Sequence, residues 1–154
     1  MKKRSILLAI LFVGVLFLFA GCGKKTVATD ADFRKVFQES GYVIYDATEQ
    51  FAATGVVESA SIAQDTTGHQ VEFYVLKSES DAISMFNTNK STFESYKGNS
   101  SSESSANMSN YSTYTLTSSG YYMHLCRVDN TLIYVRVKDD FKKDVQAVIK
   151  KLGY

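Results

Sequence analysis

Apolar and polar residues follow two periods along the chain, and each period predicts one kind of secondary structure. Apolar residues spaced three or four positions apart predict three helices, over about 30–40, 80–97 and 141–152. Alternation with a period of two predicts five strands, over 56–64, 69–77, 111–117, 121–128 and 131–138. A short extended piece is expected at 42–45, and one or two helical turns at 48–53.

Two turns set the pairing of neighbouring strands. Residues 65–68 (Asp-Thr-Thr-Gly) predict a hairpin, and Asp129-Asn130 is a two-residue loop of the kind that tolerates a positive φ. Because a strand alternates its faces, this second loop fixes which residues lie opposite one another. The expected pairs are Val128 with Thr131, Cys126 with Ile133, His124 with Val135, and Tyr122 with Val137.

The order of these elements predicts an α+β fold. We expect a five-stranded, mainly antiparallel sheet with about three helices packed on one face. Residues 98–110 are rich in serine and asparagine and have little apolar surface to bury, so a mobile loop is expected there. Residues 31–154 should form a single domain.

The N-terminal segment has the pattern of an export signal. Lys2, Lys3 and Arg4 precede residues 6–20, a run of fifteen residues without a polar side chain. A helix needs about 20 apolar residues to cross the hydrocarbon core, so this run is short for a transmembrane anchor. It ends abruptly at the small residues Ala20 and Gly21, just before a cysteine.

Phe19-Ala20-Gly21-Cys22 resembles the lipobox of bacterial prolipoproteins, with Phe19 at the position where leucine is usual. The resemblance implies cleavage after Gly21 and a covalent lipid, of palmitate-type acyl chains, on Cys22. Residues 1–21 would then be the signal peptide, and residues 22–30 the lipidated cysteine with a short tether. The domain would be held at the cell membrane by membrane lipid and would face outside the cytoplasm. The alternative is an uncleaved anchor helix with an incidental cysteine.

Cleavage would change the charge of the chain. The full sequence has 17 basic and 16 acidic residues; losing Lys2, Lys3 and Arg4 leaves 14 basic residues and a formal net charge of −2. A chain of this charge has no field that attracts polyanions, so nucleic acid is not an expected partner. No cofactor is expected besides the covalent lipid on Cys22, and no metal site is expected, because the cysteines and histidines lack metal-ligand spacing.

Two groups of reactive side chains favour structural roles. Cys126 lies on the same strand face as Ile133 and Val135, which predicts a buried thiol. His124 lies two residues away, about 6.6 Å along a strand, and is expected at a sheet edge. Asp139-Asp140 suits the N-terminus of the last helix. No catalytic residue is assigned on this basis.

One strand face combines apolar, aromatic and cationic residues. If the helices cover only the other face, this one is open to solvent and could bind a protein, a peptide or a glycan. The candidate ligand-binding residues on it are Arg127, Tyr134, Arg136, Tyr74 and Glu72, with Met123, Leu125 and Leu132 between them. The alternative is an ordinary solvated sheet face.

The sequence therefore favours a membrane-anchored binding or interaction domain without catalytic activity. Two other functions stay open. One is a hydrolase of the cell envelope, with carboxylates that meet only in the fold. The other is an accessory subunit of a membrane complex. Enzyme activity is uncertain on the sequence alone.

Overall fold

The structure, a computed structural model, describes residues 24–154. Gly21 and Cys22 lie outside the described residues. The four α-helices of that range are α1 (Asp30–Glu39), α2 (Thr48–Phe51), α3 (Glu79–Ser95) and α4 (Lys142–Leu152). The strands are β1 (Val43–Asp46), β2 (Val57–Gln64), β3 (Gln70–Leu76), β4 (Ser101–Asn107), β5 (Tyr111–Ser118), β6 (Tyr121–Val128) and β7 (Thr131–Lys138). Short 3-10 turns at Ala52–Thr54 and Asp139–Phe141 precede β2 and α4.

The seven strands form one antiparallel sheet in the order β1-β2-β3-β7-β6-β5-β4. The predicted α+β class is confirmed. The predicted counts of five strands and about three helices are wrong, because β1 and β4 add one strand at each edge and α2 adds a short helix. The predicted register of β6 on β7 is confirmed, with Val128 opposite Thr131 and Tyr122 opposite Val137. Asp129, in the turn between them, has a φ of 47°.

Helices pack on both faces of the sheet, so the prediction that they cover one face is wrong. α1 and α4 bury one face around Phe73 and Ile133. α3 buries the other face through Ala82, Phe86 and Phe93. The central strands β6 and β7 are therefore buried on both sides.

Residues Ser101–Asn107 form the edge strand β4 and not the predicted mobile loop. β4 pairs with β5 along its whole length, from Ser101 opposite Ser118 to Asn107 opposite Ser112. All seven of its residues are exposed. Backbone hydrogen bonds to β5 therefore hold this strand, and burial contributes little. A strand without apolar positions leaves no periodic signal in the sequence.

The predicted helix ends agree with the structure at α1 and α4. Thr29 caps α1: its side chain accepts from the Asp32 amide, and the Asp32 carboxylate accepts from the Thr29 amide in return. Gly153 ends α4 with a φ of 91°, and the Tyr154 amide donates to the Ile149 carbonyl at 3.2 Å. This ending turns Tyr154 back onto the domain.

No helix within residues 24–154 has both the length and the apolar content to span a membrane.

Candidate functional site

The sheet face beneath α3 carries a row of side chains that the helices cover only in part. In the register of the sheet, Ile62 on β2, Glu72 on β3 and Tyr134 on β7 lie side by side in one row. These three side chains are half-buried, and Arg136, two residues beyond Tyr134 on the same face, is exposed. Four of the five predicted binding residues, Glu72, Tyr74, Tyr134 and Arg136, therefore lie on one face of β3 and β7. The expected exposure of Tyr74 is wrong, because it is only 4% exposed and packs against Phe51 of α2.

Two tyrosines hold the guanidinium of Arg136. Its Cζ atom lies 4.4 Å from the ring centroid of Tyr121 and 5.2 Å from that of Tyr96. Both distances are within the range of a cation–π contact. None of the ion pairs formed among residues 24–154 includes Arg136. The cation is thus oriented by aromatic rings and keeps its hydrogen-bond donors free of a carboxylate.

Local backbone geometry places the two rings. Tyr121 begins β6 directly after Ser119 and Gly120, whose φ angles of 52° and 79° make a tight left-handed turn. Tyr121 lies opposite Lys138, two residues from Arg136 along β7, so the two side chains are diagonal neighbours. Tyr96 follows the last residue of α3 as its C-cap. Tyr96 is 46% exposed.

The carboxyl group of Glu72 is the acidic member of this surface. The Tyr74 hydroxyl donates a hydrogen bond to Glu72 Oε2. Burial raises the pKa of Glu72, and the hydrogen bond from Tyr74 offsets part of that rise. Burial also raises the pKa of Tyr134, with Glu72 adding to the rise and Arg136 opposing it. The Tyr134 ring packs against Phe93, with ring centroids 5.0 Å apart.

We call the residues Glu72, Tyr96, Tyr121, Tyr134 and Arg136 the Arg136 surface. It offers an oriented cation, a half-buried carboxyl group and three phenol rings. Such a surface can bind a carboxylate through Arg136 while the rings contact the adjoining part of the ligand. Tyrosine and arginine are the residue types that dominate binding energy at many interfaces.

Arg127, the fifth predicted binding residue, does not belong to this surface. It is buried, and its Nη1 atom donates at 3.0 Å to both Glu79 Oε1 and the Asp129 carbonyl. Its Nη2 atom reaches Ser112 Oγ at 3.4 Å. The expected exposure of Arg127 on an open face is therefore wrong. The residue joins the first turn of α3 to the ends of β5 and β6.

The buried half of this face also corrects the sequence analysis. Met123, Leu125 and Leu132 were expected on an open surface, but each is at most 1% exposed because α3 lies over them. These residues are buried because α3 covers this face of the sheet, in addition to α1 and α4 on the other face.

Cys126 and His124 lie toward the opposite face. Cys126 is fully buried, as predicted, and burial raises the pKa of its thiol to about 11. His124 Nδ1 is 2.9 Å from Thr115 Oγ1, and burial, with a smaller effect of Lys25, lowers the pKa of the imidazole to about 4. His124 is not at a sheet edge, because β6 lies between β5 and β7. These pKa directions oppose a thiolate–imidazolium pair.

Comparison with known proteins shows little similarity. No protein-family model matches the chain, and no curated protein has a significantly similar sequence. One solved structure, a GTP binding regulator from Thermotoga maritima, is similar at a TM-score of 0.47 and 19% identity. The similarity covers 79% of this chain and 84% of that one. At that level, nothing about binding is carried over to this chain.

Sequence reasoning missed two members of the Arg136 surface, Tyr96 and Tyr121. Tyr96 fits the helical period of α3, and only the end of the helix at Ser95 turns it toward solvent. Tyr121 could have been found from the predicted register of β6 on β7. That register places Tyr121 opposite Lys138, and therefore diagonal to Arg136 on the same face.

Proposed function

We propose that this protein is a lipoprotein anchored at the outer side of the cell membrane, with a domain that binds a partner and does not catalyse a reaction. The anchor rests on the lipobox-like Phe19-Ala20-Gly21-Cys22 that follows a short apolar run. Two or more acyl chains on Cys22 would hold the protein firmly, because each buried methylene contributes about 0.8 kcal/mol.

One observation supports the binding role above the others. The Arg136 guanidinium is exposed, lies against two tyrosine rings and has no acidic partner among residues 24–154. A guanidinium held in one orientation loses less conformational freedom when it binds. Its planar donors match a carboxylate in a bidentate geometry. The partner we propose is a peptide or protein segment of the cell envelope that presents a carboxylate to Arg136.

The Arg136→Ala variant tests the position of the site. A photocrosslinking amino acid at position 138 of the anchored protein, in living cells, should give a crosslinked product that Arg136→Ala abolishes. Lys138 is exposed and lies two residues from Arg136 on the same strand face, outside the Arg136 surface itself. Lys143→Ala is the matched control, because Lys143 is an exposed cation at the start of α4, on the opposite face. It should leave the product at its original level. A product of equal yield in Arg136→Ala and Lys143→Ala would show that the site is elsewhere.

The Cys22→Ser variant tests the anchor. The thiol is the acceptor of the lipid, so the serine variant should incorporate no alkyne-labelled palmitate and should keep residues 1–21 in its intact mass. The control is Cys126→Ala, which removes the other cysteine and should be labelled and cleaved as the original protein is. Labelling of Cys22→Ser at the original level would contradict the lipoprotein assignment.

A further inference from the structure

The first described residues are bound to one end of the domain. The Lys25 amide donates to Asn110 Oδ1 at 3.1 Å, and Asn110 Nδ2 donates back to the Lys25 carbonyl at 2.8 Å. Lys25 Nζ donates to the Gly153 carbonyl at 2.9 Å, and the Ala28 amide donates to the Tyr154 hydroxyl at 3.3 Å. The chain from Lys25 onward is therefore fixed to the domain and does not act as a free tether.

The distance from this attachment to Cys22 is short. Three residues span at most about 11 Å, at 3.3–3.6 Å per residue. If Cys22 carries acyl chains in the bilayer, as the proposed function states, the contact between Lys25 and Asn110 lies within about 11 Å of the lipid attachment. The geometry of the chain then restricts which part of the domain can face the membrane.

The segment around Lys25 is attached at one end of the sheet. The Asp129 amide donates to the Asn110 carbonyl at 2.8 Å, so the turns after β4 and after β6 meet there. The end of α4 at Gly153 lies beside them through Lys25. The opposite end carries the Ser119-Gly120 turn and the start of α4, one strand length away, or about 26 Å for eight residues.

The side chains at the Lys25 end suit a bilayer surface. Val27 and Met108 are apolar and are 38% and 42% exposed. Lys24, three residues before Val27, is exposed, and Lys150 and Lys151 are exposed in the last turn of α4. Apolar side chains can enter the interfacial layer, and lysines near an anionic membrane are attracted to its surface.

We infer that this end of the domain, defined by Lys24, Val27, Met108, Asn110 and Gly153, rests on the surface of the bilayer that holds the anchor. Met108 and Val27 lie at the depth of the headgroups, and Lys24 contacts anionic lipid phosphates. The strands then run away from the membrane, and the Arg136 surface lies toward the far end of β7. The inference rests on the proposed lipid anchor but concerns the orientation of the domain.

Depth-dependent quenching tests this orientation. The mature lipoprotein, in a Cys126→Ala background, carries a bimane label on Met108→Cys or on Val43→Cys. It is placed in vesicles of phosphatidylcholine and phosphatidylglycerol that contain a nitroxide-labelled lipid. Val43 is the matched control, an apolar residue that is 55% exposed at the opposite end of the sheet. Quenching should be several times stronger at position 108 than at position 43.

Equal quenching at the two positions, in protein whose intact mass shows an acylated Cys22, would overturn the orientation and leave the anchor standing. Absence of the acyl mass would instead contradict the proposed function. A second comparison tests the lysine contact: Lys24→Glu should reduce quenching at position 108 in vesicles with phosphatidylglycerol, and Lys143→Glu should not. Equal effects of these two variants would show that Lys24 does not contact the anionic lipid.

Discussion

Replacing Phe93 with alanine should lower the free energy of unfolding by about 3–5 kcal/mol, the usual loss for a large aromatic side chain removed from a core. Phe93 is fully buried between α3 and the sheet, with its ring centroid 5.0 Å from that of Tyr134. α3 has few buried side chains, namely Ala82, Phe86 and Phe93, so the loss of one weakens the attachment of the whole helix. Urea unfolding of the mature domain followed by circular dichroism measures the change.

Tyr96→Ala is the control for this substitution. Tyr96 lies next to the C-terminal end of the same helix and is 46% exposed, with a cation–π contact to Arg136 as its described interaction. Its removal should therefore lower the free energy of unfolding by no more than about 1 kcal/mol. Similar small effects of Phe93→Ala and Tyr96→Ala would mean that α3 does not cover this face. The face would then be open, as the sequence alone suggested.

Acidification should destabilise the protein through His124. Burial lowers the pKa of this imidazole to about 4 in the folded protein, against 6.5 as its ordinary value. Between these values the unfolded chain binds a proton that the folded chain excludes, so stability falls as pH falls from about 6.5 to 4. Because the ring is half-buried, we expect a loss of about 1–3 kcal/mol over this range.

The pH dependence of urea unfolding separates His124 from the carboxyl groups. A His124→Gln variant cannot take up the proton, so its free energy of unfolding should change less between pH 7 and pH 4 than that of the original protein. The carboxyl groups of Asp32 and Asp46, whose pKa values hydrogen bonds lower, are unchanged in both proteins and affect both at lower pH. Parallel pH profiles of the two proteins would refute the role of His124.

The parts of the fold that the sequence predicts correctly are those fixed by local chemistry. The turn at Asp129-Asn130 sets the register of β6 on β7 without reference to the rest of the chain. Thr29 and Gly153 mark helix ends through their own hydrogen bonds and backbone angles. The edge strand β4 was missed, because exposed serines show no period and only the edge of β5 recruits them.

The candidate surface could be predicted only in part. Alternation along β3 and β7 places Glu72, Tyr134 and Arg136 on one face, and the structure agrees. The error at Arg127 has a long-range cause, since its partner Glu79 is 48 residues earlier in the chain. Which helix covers which half of a sheet depends on packing between distant segments, and no pattern within a strand contains that information.

The order of the strands also bears on how the chain folds. Among the seven described strands, each neighbouring pair is consecutive in sequence except β3 and β7. The chain can thus form two meanders, β1–β3 and β4–β7, through short-range turns. Pairing β3 with β7, with Val71 opposite Val135, joins the two meanders. This step must overcome the entropy lost on closing a long loop that includes α3 and three strands. The rate of folding should therefore depend on the encounter of two preformed halves, and a nascent chain has no complete sheet until β7 has been synthesised.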